Sequence, residues 1–401
     1  MAPYVRELLE LLARWIHLIA GIMWVGNSLL FNWLDRNLVQ PEKPRDKEAA
    51  DAGLLLGEIW LLHSGGFYEV EKKFLAPKQL PATLHWFKWQ SYTTWLSGIA
   101  LLILVYYLGG GGFLVDPAVA NLSHGQGVAV GVAIVAGGLL IYDALWRLLG
   151  PHEPEAATLL SLVLGAAAVW VSTAFLGGRA AYIHVGVLFG TIMSGNVFLH
   201  IVPSQRELVA ATAAGKPQDA ALSMRAKQRS IHNNYMTFPL LFIMISNHFA
   251  STYGHRHNGW VLAVLIVSGA VVRHILNVRF NFPRWQLALA AVITVTVGTM
   301  LALLRPPSPS SGGERPKFAA VDSVFAQRCR PCHSRHPTDP QWPLAPNGIM
   351  FDSPEQIRVY SERIRVRAVQ TRTMPLANKT GMTDAERELL ERWLSAGSPL
   401  D

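Results

Sequence analysis

The run WQLALAAVITVTVGTMLALL (Trp285–Leu304), followed at once by RPPSPSSGGERPK (Arg305–Lys317), decides how this chain is built. About 20 consecutive apolar residues are what a helix needs to cross the hydrocarbon core of a bilayer. The Pro/Ser/Gly string behind it can neither continue a helix nor fill a core, so it reads as a linker between domains. Seven further apolar runs precede it: Leu8–Leu34, Ser91–Leu108, Gln126–Trp146, Ala157–Phe175, Ala180–Val202, Tyr235–Thr252 and Gly259–His274. The expected fold is therefore all-α. A polytopic membrane helix bundle of about eight spans occupies residues 1–304, the linker 305–317, and a small all-α domain 318–401.

Composition agrees. Of 401 residues, 51% are hydrophobic and 15% charged, against roughly 25% charged in an ordinary soluble protein. A wholly soluble enzyme is excluded, as are a disordered and a disulfide-stapled chain. The net charge of +8 does not call for nucleic acid, because an excess of basic loops is the default in a membrane protein. Loops after the first, third, fifth and seventh runs carry 16 Lys and Arg, while the N-terminal segment and the other loops carry 3. The positive-inside rule then puts the first set in the cytoplasm of a bacterial cell and both termini outside its cytoplasmic membrane. No cleavable signal is expected. Arg14 and Arg273, near span ends, are expected to snorkel to the interface.

The two cysteines stand three residues apart in Cys329-Arg330-Pro331-Cys332-His333, a C-x-x-C-H run, the attachment signature for covalent haem c. Two thiols at this spacing reach the two vinyl groups of one porphyrin, and the adjacent imidazole supplies an axial ligand to iron. A thioredoxin-like dithiol would want a βαβ setting, and a zinc site would want a second ligand pair. Met374, in TRTMPLANKTGMT, is the best candidate for the opposite axial position, where a thioether raises the potential; Met350 and Met382 are rivals. Helices are expected over Val321–Arg328 and near Asp384–Ala396, the latter opened by a capping box from Thr383 to Glu386. These features describe a small c-type cytochrome domain. Haem c is attached outside the cytoplasmic membrane, which agrees with the loop charges.

Ionisable groups inside spans are expensive and carry function by default. His17, His184 and His248 fall toward the outside; His200, His232 and His274 fall toward the cytoplasm, with His85 just before the second span. One or two haem b groups held by such imidazoles would form a relay; the competing reading is interhelical hydrogen bonding. Asn27, Asn196, Asn233 and Asn234 read as interhelical partners.

Five stretches resemble one known family, the integral-membrane, cytochrome-c-linked urate oxidases (urate hydroxylases). They are HLIAGIMWVGNSLLFNW (His17–Trp33), HSGGFYEVEKKFLAP (His63–Pro77), LHWFKWQSYTTWLSG (Leu84–Gly98), HVGVLFGTIMSGNVF (His184–Phe198) and RSIHNNYMTFPLLFIMISNH (Arg229–His248). With the C-x-x-C-H domain, the likeness covers nearly the whole chain. It implies oxidation of urate to 5-hydroxyisourate, with electrons passed through haem c to a soluble cytochrome c or a terminal oxidase and no hydrogen peroxide formed. It brings no assigned catalytic residues. Urate is a flat anion needing a cation, hydrogen-bond donors and an apolar slot, and its oxidation needs a base. The loop from His63 to Gln90 offers Glu71, Lys72, His85 and Lys88 for these roles, beside Tyr68, Trp86 and Trp89; an interfacial segment lying on membrane lipid is the competing reading. A quinol-linked electron-transfer subunit without catalysis is the alternative function. A transporter would want an inverted repeat, and none is evident.

Overall fold

The structure, a computed structural model, describes residues 3–42, 55–73, 80–109, 111–305 and 314–401. It is mostly helical, in keeping with the expected class. The apolar region contains α1 (Pro3–Asn37), α2 (Trp89–Leu102), α3 (His124–Val132), α4 (Gly138–Leu148), α5 (Pro154–Phe175), α6 (Gly178–Asn196), α7 (Val202–Ala213), α8 (Ala220–Ile245), α9 (Asn258–Val278) and α10 (Trp285–Leu303). Local chemistry sets several starts. Ser123 and Gln126 form a capping box at α3, and Pro154 opens α5 with Glu155 in its first turn.

Among the described residues, six helical stretches are long and apolar enough to cross a membrane: Tyr4–Asn37, His124–Leu148, Pro154–Phe175, Gly178–Ala213, Asn258–Val278 and Trp285–Leu303. None of the residues of α10 is buried. A helix that is apolar all round and uncovered is suited to hydrocarbon rather than water. The other two expected runs are helical but interrupted. Ser91–Leu108 is α2 followed by a π-turn at Ile103–Tyr107. Tyr235–Thr252 begins inside α8, which starts with a stretch holding Arg225, Lys227 and Arg229 and contains Pro239. Further π-turns, at Ala133–Gly137 and Val197–Ile201, join α3 to α4 and α6 to α7. Such turns are frequent at functional sites.

One element was not legible as structure. The polar loop after the first span contains an antiparallel hairpin, β1 (Leu55–His63) with β2 (Gly66–Lys73). Ser64 and Gly65 both have positive φ, at 50° and 76°, which is the tight turn whose twist matches two strands. Leu55, Gly57 and Ile59 alternate buried along one face. The opposite face sets Glu58 across from Glu71 and Trp60 across from Glu69.

By its contacts the chain divides into two compact units. The first comprises Met1–Leu101, Phe189–Thr237 and Arg273–Gln286. Here the rings of Tyr92 and Trp95 pack edge-on against Phe198, and Trp95 Nε1 donates to Thr191 Oγ1 at 3.2 Å. The second comprises Leu102–Leu188, Phe238–Val272 and Leu287–Asp401. Within it, Tyr182 is fully buried and its hydroxyl donates to Asn258 O at 2.7 Å.

Residues 318–401 carry a core of their own. Phe325 from α11 (Phe318–Arg328) and Leu390, Trp393 and Leu394 from α12 (Asp384–Ser395) close on Phe351, Ile357 and Ile364. Thr383 and Glu386 form the expected capping box. Of the expected linker, residues 306–313 lie outside the described residues. Among the described residues Trp393 is the largest fully buried side chain, and its Nε1 donates to Pro399 O at 2.8 Å. Replacing Trp393 with Ala should therefore cost about 3–5 kcal/mol, read as an earlier loss of near-ultraviolet circular dichroism in denaturant; an unshifted transition would contradict this packing.

Candidate functional site

The C-x-x-C-H run continues the winding of α11. Cys329 N donates to Phe325 O at 3.0 Å, and Cys332 N and His333 N both donate to Cys329 O, at 3.1 and 2.9 Å. Cys329 and Cys332 are free thiols. Burial pushes the Cys329 thiol up to about 12, and burial with the nearby Asp339 charge raises Cys332. His333 Nδ1 faces Ile349 O at 3.0 Å. A carbonyl can only accept, so Nδ1 carries the proton and Nε2 keeps its lone pair. Burial also lowers the His333 pKa, against the opposing effect of that hydrogen bond, so the ring is neutral near pH 7. A neutral imidazole fixed through Nδ1 to a main-chain carbonyl is the state in which histidine binds a metal. Two free thiols and this imidazole fit a covalent haem.

Met374 lies on a loop clamped from behind. Arg387 of α12 is 5% exposed; its Nη1 donates to Ala368 O and to Met374 O, and its Nη2 to Asn378 Oδ1. Met374 N donates to Arg367 O at 2.9 Å, just after a π-turn at Arg365–Gln370. Of the rivals, Met382 is 3% exposed within the domain core, and Met350 is half-buried beside Ile349. Lys379 Nζ pairs with Asp339 at 2.6 Å, tying the Met374 side of the domain to the segment after Cys332.

The same loop is seated on helix ends within the second unit. Arg367 Nη1 donates to Tyr253 Oη at 2.9 Å. A Cβ at Gly254 would lie 2.5 Å from Thr373 Cγ2, and one at Gly112 would lie 3.2 Å from Leu376 Cδ2. Gln341 Nε2 donates to Gly109 O at 3.0 Å, and Phe113 meets Trp342 edge-on. Gly109, Gly112 and Phe113, and Tyr253 and Gly254, fall in two of the three loops that the charge count put on the side of the C-terminus.

The expected b-haem histidines have separate surroundings. His17 Nδ1 faces Thr94 O at 2.9 Å, which leaves Nε2 as its acceptor, and Gly98 makes room for the ring. His184 is fully buried; Nδ1 donates to Ala180 O at 2.8 Å and Nε2 accepts from Tyr107 Oη at 3.1 Å. Gly131 lies against that pair, since a Cβ there would stand 2.5 Å from Nε2. His274 Nδ1 meets Tyr235 Oη at 2.8 Å. His200 falls in a π-turn, His232 is half-buried on α8, and His248 is exposed at the end of a short 3₁₀ turn. Close by, His124 Nε2 meets Tyr107 O at 2.8 Å.

The loop candidates are engaged as well. Glu71 pairs with Lys73 at 3.6 Å, and its carboxylate gathers with those of Glu58 and Glu69 on the hairpin. Lys72 pairs with Asp35 at 2.6 Å. His85 packs edge-on to Phe87, and Lys88 Nζ sits 5.6 Å from the rings of both Trp86 and Trp89, a cation–π arrangement.

The urate oxidase N-terminal family matches residues 3–303. The chain belongs to that family. No curated protein and no solved structure matches it. Membership in the urate oxidase N-terminal family associates the chain with oxidation of urate, and the matched residues end at the last residue of α10. The C-x-x-C-H domain follows beyond them.

Within the family's region, sequence reasoning misjudged Arg273. It does not snorkel: it is 6% exposed, and its Nε donates to Asn234 Oδ1 at 3.0 Å. Asn277, one turn on and not singled out by sequence, donates to the same oxygen at 2.7 Å. A signal was available in the spacing, because Arg273 and Asn277 are four residues apart and so share a helix face.

Acid should loosen the C-terminal domain. Burial works against the carboxylates of Glu386 and Asp339, but Thr383 N–H with Arg328 outweighs it at Glu386, and Lys379 with Gln341 N–H at Asp339, holding both below the usual range. Groups with a lowered folded pKa contribute stability above the ordinary carboxylate range, near about 4. That contribution is lost as pH falls through their lowered values. Acid unfolding of the wild type should steepen below about pH 4, and E386Q should flatten that limb; equal slopes would refute the assignment.

Proposed function

We propose that this chain is a membrane-spanning urate oxidase that delivers electrons to a covalent haem c. The reaction converts urate and water to 5-hydroxyisourate, two protons and two electrons, so no oxygen is consumed at the urate site and no hydrogen peroxide forms there. Cys329 and Cys332 would hold the porphyrin, and His333 Nε2 and the Met374 thioether would bind its iron. When bound, the haem supplies one-electron acceptance at a potential raised by the thioether.

The observation that carries this reading is the seating of the Met374 loop on the helix ends of a urate oxidase family domain, through Arg367 to Tyr253 and Thr373 against Gly254. A fused carrier serves its enzyme best when docked where electrons emerge. Arg387 keeps the loop in one position, and the Asp339–Lys379 pair holds the two sides of the domain together.

In the full proposal about eight spans place the N-terminus and the cytochrome domain outside the cytoplasmic membrane of a bacterium. Histidines among His17, His184, His248, His200, His232 and His274 would hold one or two b haems, which would supply a path for electrons over about 30 Å of hydrocarbon. A soluble cytochrome c or a terminal oxidase receives them.

Membranes holding the wild type should consume urate with cytochrome c as acceptor and release no peroxide. C332A and H333A should lose at least about 100-fold of that rate, the scale expected when an obligate redox centre is removed. Undiminished urate consumption by both variants, coupled to peroxide release, would overturn the proposal.

A further inference from the structure

Beside the Met374 loop, a second segment of the C-terminal domain meets the family's region within the same unit. Gln341 Nε2 donates to Gly109 O at 3.0 Å, and the ring of Trp342 stands edge-on to that of Phe113 with 5.9 Å between centres. Edge-to-face rings at this separation attract each other beyond the effect of burial. Phe113 is fixed on its own side. The Arg179 guanidinium carbon stands 5.3 Å from its ring centre, and Arg179 Nε donates to Asn247 Oδ1 at 3.0 Å. Leu114, next in the chain, is fully buried, and its carbonyl accepts from Gly177 N at 3.0 Å.

Toward the C-x-x-C-H run, this contact continues as a short bonded path. Gln341 N donates to Asp339 Oδ1 at 2.9 Å, and the Asp339 carboxylate, 7% exposed, lies within hydrogen-bond reach of Cys332. Asp339 N donates to Pro331 O, between the two cysteines, at 2.9 Å. Toward the spans the path is continuous as well. Gly109 stands two residues past Tyr107, which ends a π-turn and bonds through its hydroxyl to the fully buried His184.

Electron tunnelling falls steeply with distance, and bonds, hydrogen bonds and touching rings carry it better than gaps do. The seat at Tyr253 and Gly254 is made by the long Arg367 side chain and the Thr373 methyl group. A thioether at Cys332 would bond the conjugated macrocycle itself, whereas Met374 would reach it only through iron.

We propose that Trp342, seated on Phe113, and Gln341, seated on Gly109, form the port through which electrons from the membrane region enter the haem at its Cys332 edge. The Met374 loop holds the domain in place and is not the conductor. This rests on the reading of the chain as a urate oxidase and names the entry point that reading leaves open. Electrons cross singly, two for each urate; each turns ferric iron ferrous, and the two protons leave at the urate. No bond is made or broken at the port. Gln341 and Arg179 are positioning residues that keep the two rings together.

The test uses the full-length holoprotein and anaerobic stopped-flow detection at the c-type α-band. W342L and F113L should slow reduction by urate about tenfold or more, while W342F, which keeps a ring, should retain most of the rate. Ascorbate, which reaches the haem from solvent, should reduce all of them alike, and the midpoint potential should not move. Hydrogen exchange separates conduction from docking: residues 250–256 should stay as protected in W342L as in the wild type. R367M, which loosens the other seat, should slow urate-driven reduction less than W342L does. Should the Trp342 variants not retain haem, F113L decides, because it leaves the C-terminal domain unaltered. A wild-type rate in F113L, loss of protection at 250–256 in both W342L and F113L, or a loss of rate in R367M as large as in W342L overturns the port while leaving urate oxidation standing. A wild type whose haem ascorbate reduces and urate does not overturns the urate reading, and shows before any substitution is made.

Discussion

A single buried guanidinium holds together the loop by which the C-terminal domain meets the urate oxidase family region within the second unit. Arg387 spends its donors on the main-chain oxygens of Ala368 and Met374 and on Asn378. An arginine in that setting cannot move without stranding both a charge and several acceptors, so the loop it grips has one shape. Met374 lies on that loop; its flanks, Arg367 with Thr371 and Thr373 before it and Leu376 after it, meet Tyr253, Gly254 and Gly112. Without the clamp, neither the position of Met374 nor the surface that meets those residues would be defined.

The glycines at these approaches have a consistent logic. Gly112 and Gly254 let the domain come close, Gly98 admits His17, and Gly131 admits the His184–Tyr107 pair. Each is a place where a backbone replaces a side chain so that a functional group can pass. Two π-turns lie by the His184–Tyr107 pair, one ending at Tyr107 and one following Gly131, and a third holds His200. A helix with an added residue re-aims the side chains of one turn, which a regular repeat could not do.

Much of this was legible beforehand where a local rule decides the outcome. The capping box at Thr383 and Glu386 forms as its spacing demands, and the uncovered apolar helix at Trp285–Leu303 follows from composition alone. The hairpin at Leu55–Lys73 was hidden because its alternation is diluted by Gly57 and by charged residues on both strands. Arg273 was misread because a lone cation near a span end resembles a snorkelling one, and only the partner helix reveals Asn234 beneath it. The roles given to Glu71, Lys72, His85 and Lys88 came from residue type, whereas the structure pairs or stacks each of them within the first unit.

The account turns on electrons passing from urate to the domain at Cys329–His333. The most direct test is an anaerobic reduced-minus-oxidised spectrum of the purified full-length protein, with urate as the only reductant. The account predicts a c-type α-band near ~550 nm growing with urate and, where b haems join the relay, a second near ~560 nm. Haem bands that dithionite produces and urate does not would contradict it, and would leave an electron carrier fused to a domain that draws its electrons elsewhere.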